Sequence, residues 1–239
     1  EAIRELADLF ICQTVLPTDA DLVGSEYLII DPAFSECTPN PDGHLLISFG
    51  GGDPHALTRI AIDALVDSGR RLIVANGPAS DALPEREDIT VQNAPASLSP
   101  HMDGAALFIG ALGMSAFEAA AAGVPSVLTA WSSDHKATAE ELQRLGIAVS
   151  IGTWNEFDGS TLALTVKDNL RDTDRWAAMS LAGRVLVDGQ GAARVAERIE
   201  RLLSGESTKV VDTHRVVDAH AEHVVNAEAT VRPRLMVKH

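Results

Sequence analysis

From His44 to Ser204, short apolar runs alternate with longer stretches whose apolar residues recur every three or four positions. Leu45-Leu46-Ile47-Ser48-Phe49, Leu72-Ile73-Val74-Ala75, Ile89-Thr90-Val91, Ala106-Leu107-Phe108-Ile109, Pro125 to Thr129 and Ile147-Ala148-Val149-Ser150 read as six strands. Between them, Leu57, Ile60, Ala61, Ala64 and Leu65 share one face of a helix over 54–68. Further helices are predicted over 114–122 and 135–145, and two or three more close the region, ending in Ala192 to Leu203. Continuously apolar strands alternating with helices mean a parallel sheet covered on both faces. With right-handed crossovers, the expected fold is a doubly wound, Rossmann-like α/β domain.

The flanks read differently. Residues 1–40 look like the remnant of a preceding unit, with a short apolar run at Leu28-Ile29-Ile30. The turn-rich stretch Thr38-Pro39-Asn40-Pro41-Asp42-Gly43 predicts a hinge into the domain at 41–204. Residues 205–239 carry no aromatic residue and read as a linker or the start of a further domain. That tail loosely repeats Val210-Val211-Asp212-Thr213-His214 as Val216-Val217-Asp218-Ala219-His220, then as Val224-Val225-Asn226-Ala227-Glu228. His214, His220 and His223 with Asp212 and Asp218 match no zinc spacing, so a solvated linker is the expectation there.

Composition narrows the function classes. The 239 residues hold 19 basic and 34 acidic side chains, a net charge of −15, which argues against wrapping nucleic acid. All of that excess lies before Gly205. Cys12 and Cys37 form no disulfide framework, which fits a reducing cytoplasm. No apolar run is long enough to span a membrane. The chain opens at Glu1 without an initiator methionine or a signal segment, and a fragment is expected.

In a doubly wound sheet, ligands sit beyond the carboxyl ends of the strands. Three loops there carry ligand-friendly residues. Gly50-Gly51-Gly52 precede Asp53-Pro54, read as the N-cap and first residue of a helix whose free N–H groups suit a phosphate. The plainer reading is a tight turn, and the pattern is neither a dinucleotide fingerprint nor a Walker loop. Gly113, Met114 and Ser115 open the next helix, with Glu118 one turn in, placed to accept two ribose hydroxyls or simply to sit in solvent. Trp131-Ser132-Ser133-Asp134-His135-Lys136 opens another helix, where Ser133 or Asp134 would serve as N-cap and His135 as a cap residue or a ligand contact.

These segments resemble the C-terminal half of GT-B nucleotide-sugar enzymes. The nearest likeness is to pseudaminic-acid-pathway UDP-sugar hydrolases and spore-coat polysaccharide glycosyltransferase-like proteins. The likeness rests on Ile47 to Pro54, with Gly52 where the family has serine, and on Gly113 to Ser126, preceded by Leu112 where the family has glycine. It also rests on Asp134-His135-Lys136, which lacks the family's glutamine, on Val187 to Val195, and on Leu22 to Phe34, similar to the inter-domain strand. The resemblance implies that Glu118 binds the ribose, that Gly113, Met114 and Ser115 meet the diphosphate, and that Gly50, Gly51 and Gly52 border the cleft. It places Asp134 and His135 near the phosphates or sugar. It implies a UDP-sugar partner; no cofactor is expected, and no metal is required by any motif in the sequence.

The family's N-terminal Gly-x-Gly-His loop, which holds its catalytic acid or base, has no counterpart here. The resemblance therefore implies a missing N-terminal domain and half an active site, inactive alone. The implied activity is a UDP-sugar hydrolase of nonulosonic-acid or surface-polysaccharide biosynthesis. The alternatives are a GT-B glycosyltransferase or a non-catalytic nucleotide-binding scaffold. The ending Ala229 to Arg234 faintly resembles the first strand of an N-acetyltransferase domain.

Overall fold

A strand buried on both faces needs apolar side chains at odd and even positions alike. Four of the six runs do this; the two that end up at the sheet edges, Ile89–Asn93 and Ala148–Thr153, mix in polar residues and are only partly buried. The computed structural model describes residues 9–204 except 19, 84, 85 and 87, so the tail motifs lie outside the described residues. A small parallel pair, β1 (Ile11–Cys12) and β2 (Leu22–Val23), precedes the main sheet. That sheet contains β3 (His44–Ser48), β4 (Leu72–Asn76), β5 (Ile89–Asn93), β6 (Ala105–Ala111), β7 (Ser126–Ala130) and β8 (Ala148–Thr153). Every pairing is parallel, and the spatial order is β5-β4-β3-β6-β7-β8. This is the strand order of the doubly wound nucleotide-binding fold.

The helices are α1 (Leu57–Leu65), α2 (Ser99–Met102), α3 (Met114–Ala122), α4 (Ser133–Arg144), α5 (Gly159–Arg171), α6 (Thr173–Leu186) and α7 (Gly191–Leu203). Alternation along the strands divides the core. Leu45, Ile47, Leu107 and Ile109 pack with Leu57, Ala61, Ile62 and Leu65 of α1 and Leu162 and Val166 of α5. Leu46, Phe108 and Leu128 pack with α3 and with Ala139 and Leu142 of α4 on the opposite face. Helix α6 contributes to both layers, Trp176 to the first and Ala182 and Leu186 to the second. The Trp176 indole N–H donates to the Ala106 carbonyl at 2.6 Å. Trp176→Phe strands that buried carbonyl and is expected to cost about 2 kcal/mol, read as a lower denaturation midpoint with unchanged cooperativity.

Before the sheet, 3-10 turns at Ser25–Tyr27 and Pro32–Phe34 flank the apolar run Leu28 to Ile30. The turn-rich stretch 38–43 is tied to the neighbouring strand-and-helix region. Thr38 N–H donates to Asp103, Gly104 N–H to the Thr38 carbonyl and Asn40 N–H to the Ala105 carbonyl. Leu28, Ile30, Phe34 and Cys37 are buried in the same layer as α3. Arg184 of α6 fastens this strap by donating to the carbonyls of Ser35 (3.1 Å), Cys37 (2.6 Å) and Ala122 (2.7 Å).

The closing motif Val187 to Val195 also acquires a structural cause. Asp188 pairs with Arg194, whose guanidinium also donates to the Glu26 carbonyl. Gly191 lies so near the strap that an added Cβ would collide with the Leu28 carbonyl. Only glycine permits that approach.

Candidate functional site

The order of the sheet reverses between β3 and β6, so the loops leaving these two strands border the crevice where doubly wound folds take ligands. The next strand, β7, lies beside β6. Gly50, Gly51 and Gly52 follow β3, Gly113, Met114, Ser115 and Glu118 follow β6, and Asp134 and His135 follow β7. All nine expected residues therefore stand beyond the carboxyl ends of three adjacent strands.

The glycine loop departs from expectation. Helix α1 starts at Leu57 rather than Pro54, with Ala56 in the left-handed conformation as its N-cap. Asp53 still serves the helix, but its carboxylate accepts from Leu57 N–H (2.9 Å) and Thr58 N–H (2.7 Å). Those N–H groups are thus taken, and the start of α1 does not offer them to an anion. Asp53→Ala is expected to lower stability by about 1–2 kcal/mol, measured by urea denaturation, with Asp53→Asn recovering part of the loss. Gly50 and Gly51 are exposed. Beneath them, Ala79 N–H donates to the Gly51 carbonyl at 2.9 Å, and a Cβ on Gly77 would collide with the Gly50 carbonyl. Gly77 was not among the expected residues; its signal is the turn Asn76-Gly77-Pro78 at the end of the second long strand.

Helix α3 begins differently. Gly113 is its N-cap and supplies no side-chain hydrogen bond, and the first turn has no acidic residue. Met114 is 44% exposed at this open end. The Ser115 hydroxyl is hydrogen-bonded to Glu118 rather than capping the helix. Glu118 is half-buried on an otherwise small and apolar helix. Burial pushes its carboxyl above the ordinary glutamate range; the Ser115 hydrogen bond offsets part of this, and the Asp31 carboxylate adds to it. A carboxylate in this setting has Ser115 as a donor but remains underserved, and gains from any further hydroxyls brought to it.

At the third loop the N-cap is Ser132, not Ser133 or Asp134: its hydroxyl accepts from His135 N–H at 3.3 Å. Asp134 and His135 are exposed in the first turn of α4. Lys136 forms an ion pair with Glu156, from the loop after β8, at 3.5 Å. The same edge carries rings that were not singled out from the sequence. His55 stacks on Trp154 with centroids 3.6 Å apart and planes 5° from parallel, and Trp131 lies 5.9 Å from His55. Their signal was position: Trp131 and Trp154 each directly follow a strand. Among the described residues, no group of three or more His, Cys, Asp or Glu side chains is placed to hold a metal. Nor is any described helix long and apolar enough to cross a membrane.

The fold is shared with parts of solved proteins, glycosyltransferases among them. The spinosyn rhamnosyltransferase SpnG, complexed with thymidine diphosphate, matches with a TM-score of 0.55 at 17% identity, over 71% of this chain and 48% of that one. The Anabaena protein HepE, in complex with UDP and glucose, matches with a TM-score of 0.51 at 16% identity, over 66% of this chain and 48% of that one. In sequence, the chain is similar to the spore coat polysaccharide biosynthesis protein SpsG of Bacillus subtilis (strain 168), 28% identical over 202 residues. That alignment takes in 77% of this chain and 59% of SpsG, so the chain spans less than two thirds of its relative. No family model matches. The likeness to a spore-coat polysaccharide protein thus stands in sequence, and the likeness to the solved glycosyltransferases in fold.

Proposed function

We propose that the chain forms the donor-binding half, centred on residues 41–204, of a GT-B glycosyltransferase of surface-polysaccharide biosynthesis, with a UDP-sugar as donor. The observation that carries this reading is Glu118: a half-buried carboxylate one turn inside the uncapped helix α3, at the switch point of the sheet. Its oxygens accept from the two ribose hydroxyls. The N–H groups of Met114 and Ser115, at the positive end of the helix dipole, receive the diphosphate. As the sugar leaves, those donors stabilise charge building on the departing UDP. The glycine loop forms the opposite wall, where the absence of side chains admits the diphosphate.

Transfer is favoured over the hydrolysis implied by the motifs because SpsG is a polysaccharide biosynthesis protein and the matching folds include glycosyltransferases. We assign the acceptor site and the catalytic base to a preceding domain, and the protein to the cytoplasm, where thiols such as Cys12 and Cys37 stay reduced. Calorimetric titration of UDP into the full chain tests the donor site. Saturable binding in the micromolar to millimolar range is expected; no heat up to millimolar UDP would overturn the reading.

A further inference from the structure

Aromatic residues make up only 4% of the chain, yet two of its three tryptophans stand partly exposed at the ligand edge of the sheet. Trp131 follows β7 and Trp154 follows β8, while the loop after β3 supplies His55. His55 lies flat on Trp154, and Trp131 tilts toward it at 38°. Trp154 keeps 37% of its surface in solvent. Its backbone is fixed, since its N–H donates to the Ala130 carbonyl at 2.9 Å. Phe49 and Phe157 hold the same two loops together edge-to-face at 5.6 Å. The rings are therefore set in place before any ligand arrives.

Charged groups stand beside them. Glu156, two residues past Trp154, accepts from the Thr153 N–H and hydroxyl, each at 2.8 Å, and pairs with Lys136. Flat apolar rings bordered by a fixed carboxylate and an ammonium match a pyranose, which offers a C–H face to the rings and hydroxyls to the polar rim. A nucleobase would also use the rings, but it presents fewer polar groups at its edge than the ring of hydroxyls a hexose offers to this rim. Strand β8 lies two positions from β6, or about 10 Å at ordinary strand spacing. A hexose carried on a diphosphate at the start of α3 reaches that far.

We propose that His55, Trp131 and Trp154, with Glu156 and Lys136 at their margin, form the shelf that receives the sugar ring of the donor. This rests on the donor reading above and adds the subsite that makes the site prefer a sugar nucleotide to a bare one.

The test compares UDP with UDP-glucose, by calorimetry on the full chain and on Trp154→Ala, Trp154→Phe and Glu156→Gln, with free maltose as a third titrant. In the unsubstituted chain UDP-glucose is expected to bind more tightly than UDP. Trp154→Ala should weaken UDP-glucose about tenfold while leaving UDP unchanged; Trp154→Phe should keep most of the affinity, and Glu156→Gln should lose part of it. Equal losses for UDP and UDP-glucose would make the rings a structural latch and overturn the shelf alone. A loss confined to maltose would assign the rings to a different sugar and overturn it as well. Failure of both nucleotides to bind the unsubstituted chain would overturn the donor reading and the shelf with it.

Discussion

Arg184→Met lowers the unfolding midpoint by about 6–12 °C, the equivalent of about 3 kcal/mol in a domain of this size. The reason is the number of groups one guanidinium serves. It donates to the carbonyls of Ser35 and Cys37 in the strap and of Ala122 at the carboxyl end of α3. Charged donors make stronger hydrogen bonds than neutral ones, and a cation at a helix carboxyl end also meets the negative end of its dipole. Methionine keeps the apolar stem and removes all the donors, leaving partly buried carbonyls unpaired. Lysine keeps the charge but not the fork, and Arg184→Lys is expected to recover less than half of the loss. Thermal unfolding followed by circular dichroism reads both variants. A change of under 2 °C for Arg184→Met would show that the strap is held by burial of Leu28, Ile30 and Phe34 alone.

Glu118→Ala weakens UDP by about 1–3 kcal/mol, or roughly 5- to 150-fold, if its carboxylate accepts buried ribose hydroxyls. Thymidine diphosphate lacks one of the two hydroxyls, so its deficit against UDP should shrink in the variant. Glu118→Gln carries a second, opposite effect. Burial raises the carboxyl's pKa in the folded chain. Ionisation at neutral pH therefore costs stability, and that cost is relieved as pH falls through the raised value. A neutral glutamine avoids it, so Glu118→Gln should melt higher than the unsubstituted protein at pH 7 and converge with it in acid. UDP affinity should fall over the same acid range as Glu118 takes up its proton. A variant that binds UDP normally at every pH would remove Glu118 from the site.

The doubly wound parallel fold was legible because the central strands of a doubly covered sheet are written as uninterrupted apolar runs such as Ala105 to Ala111; the order of the strands was not. Glu118 stood out for a similar reason, as a lone charge among alanines. Hydrogen bonds across long sequence separations were less legible. Nothing near Arg184 says that two of its partners lie about 150 residues earlier, or that Gly191 faces Leu28. Helix starts also escaped local rules. Asp53-Pro54 has the form of a cap and first turn, yet the loop extends to Ala56 and the aspartate reaches forward to the helix. The ring cluster was hidden because three separate strand ends supply its members, and their adjacency comes from the order of the sheet, not from spacing along the chain.

The strap has a practical consequence for anyone trimming the gene. A version begun at Pro41, as the run of prolines and turns invites, would discard Leu28, Ile30, Phe34 and Cys37, all of which cover the α3 side of the sheet. It would also deprive Arg184 of two of its acceptors and α7 of the backbone against which Gly191 rests. Such a product should be sticky and hard to purify, whereas one begun before Ile11 would keep Val15 and the first strand pair and leave its greasy flank sealed.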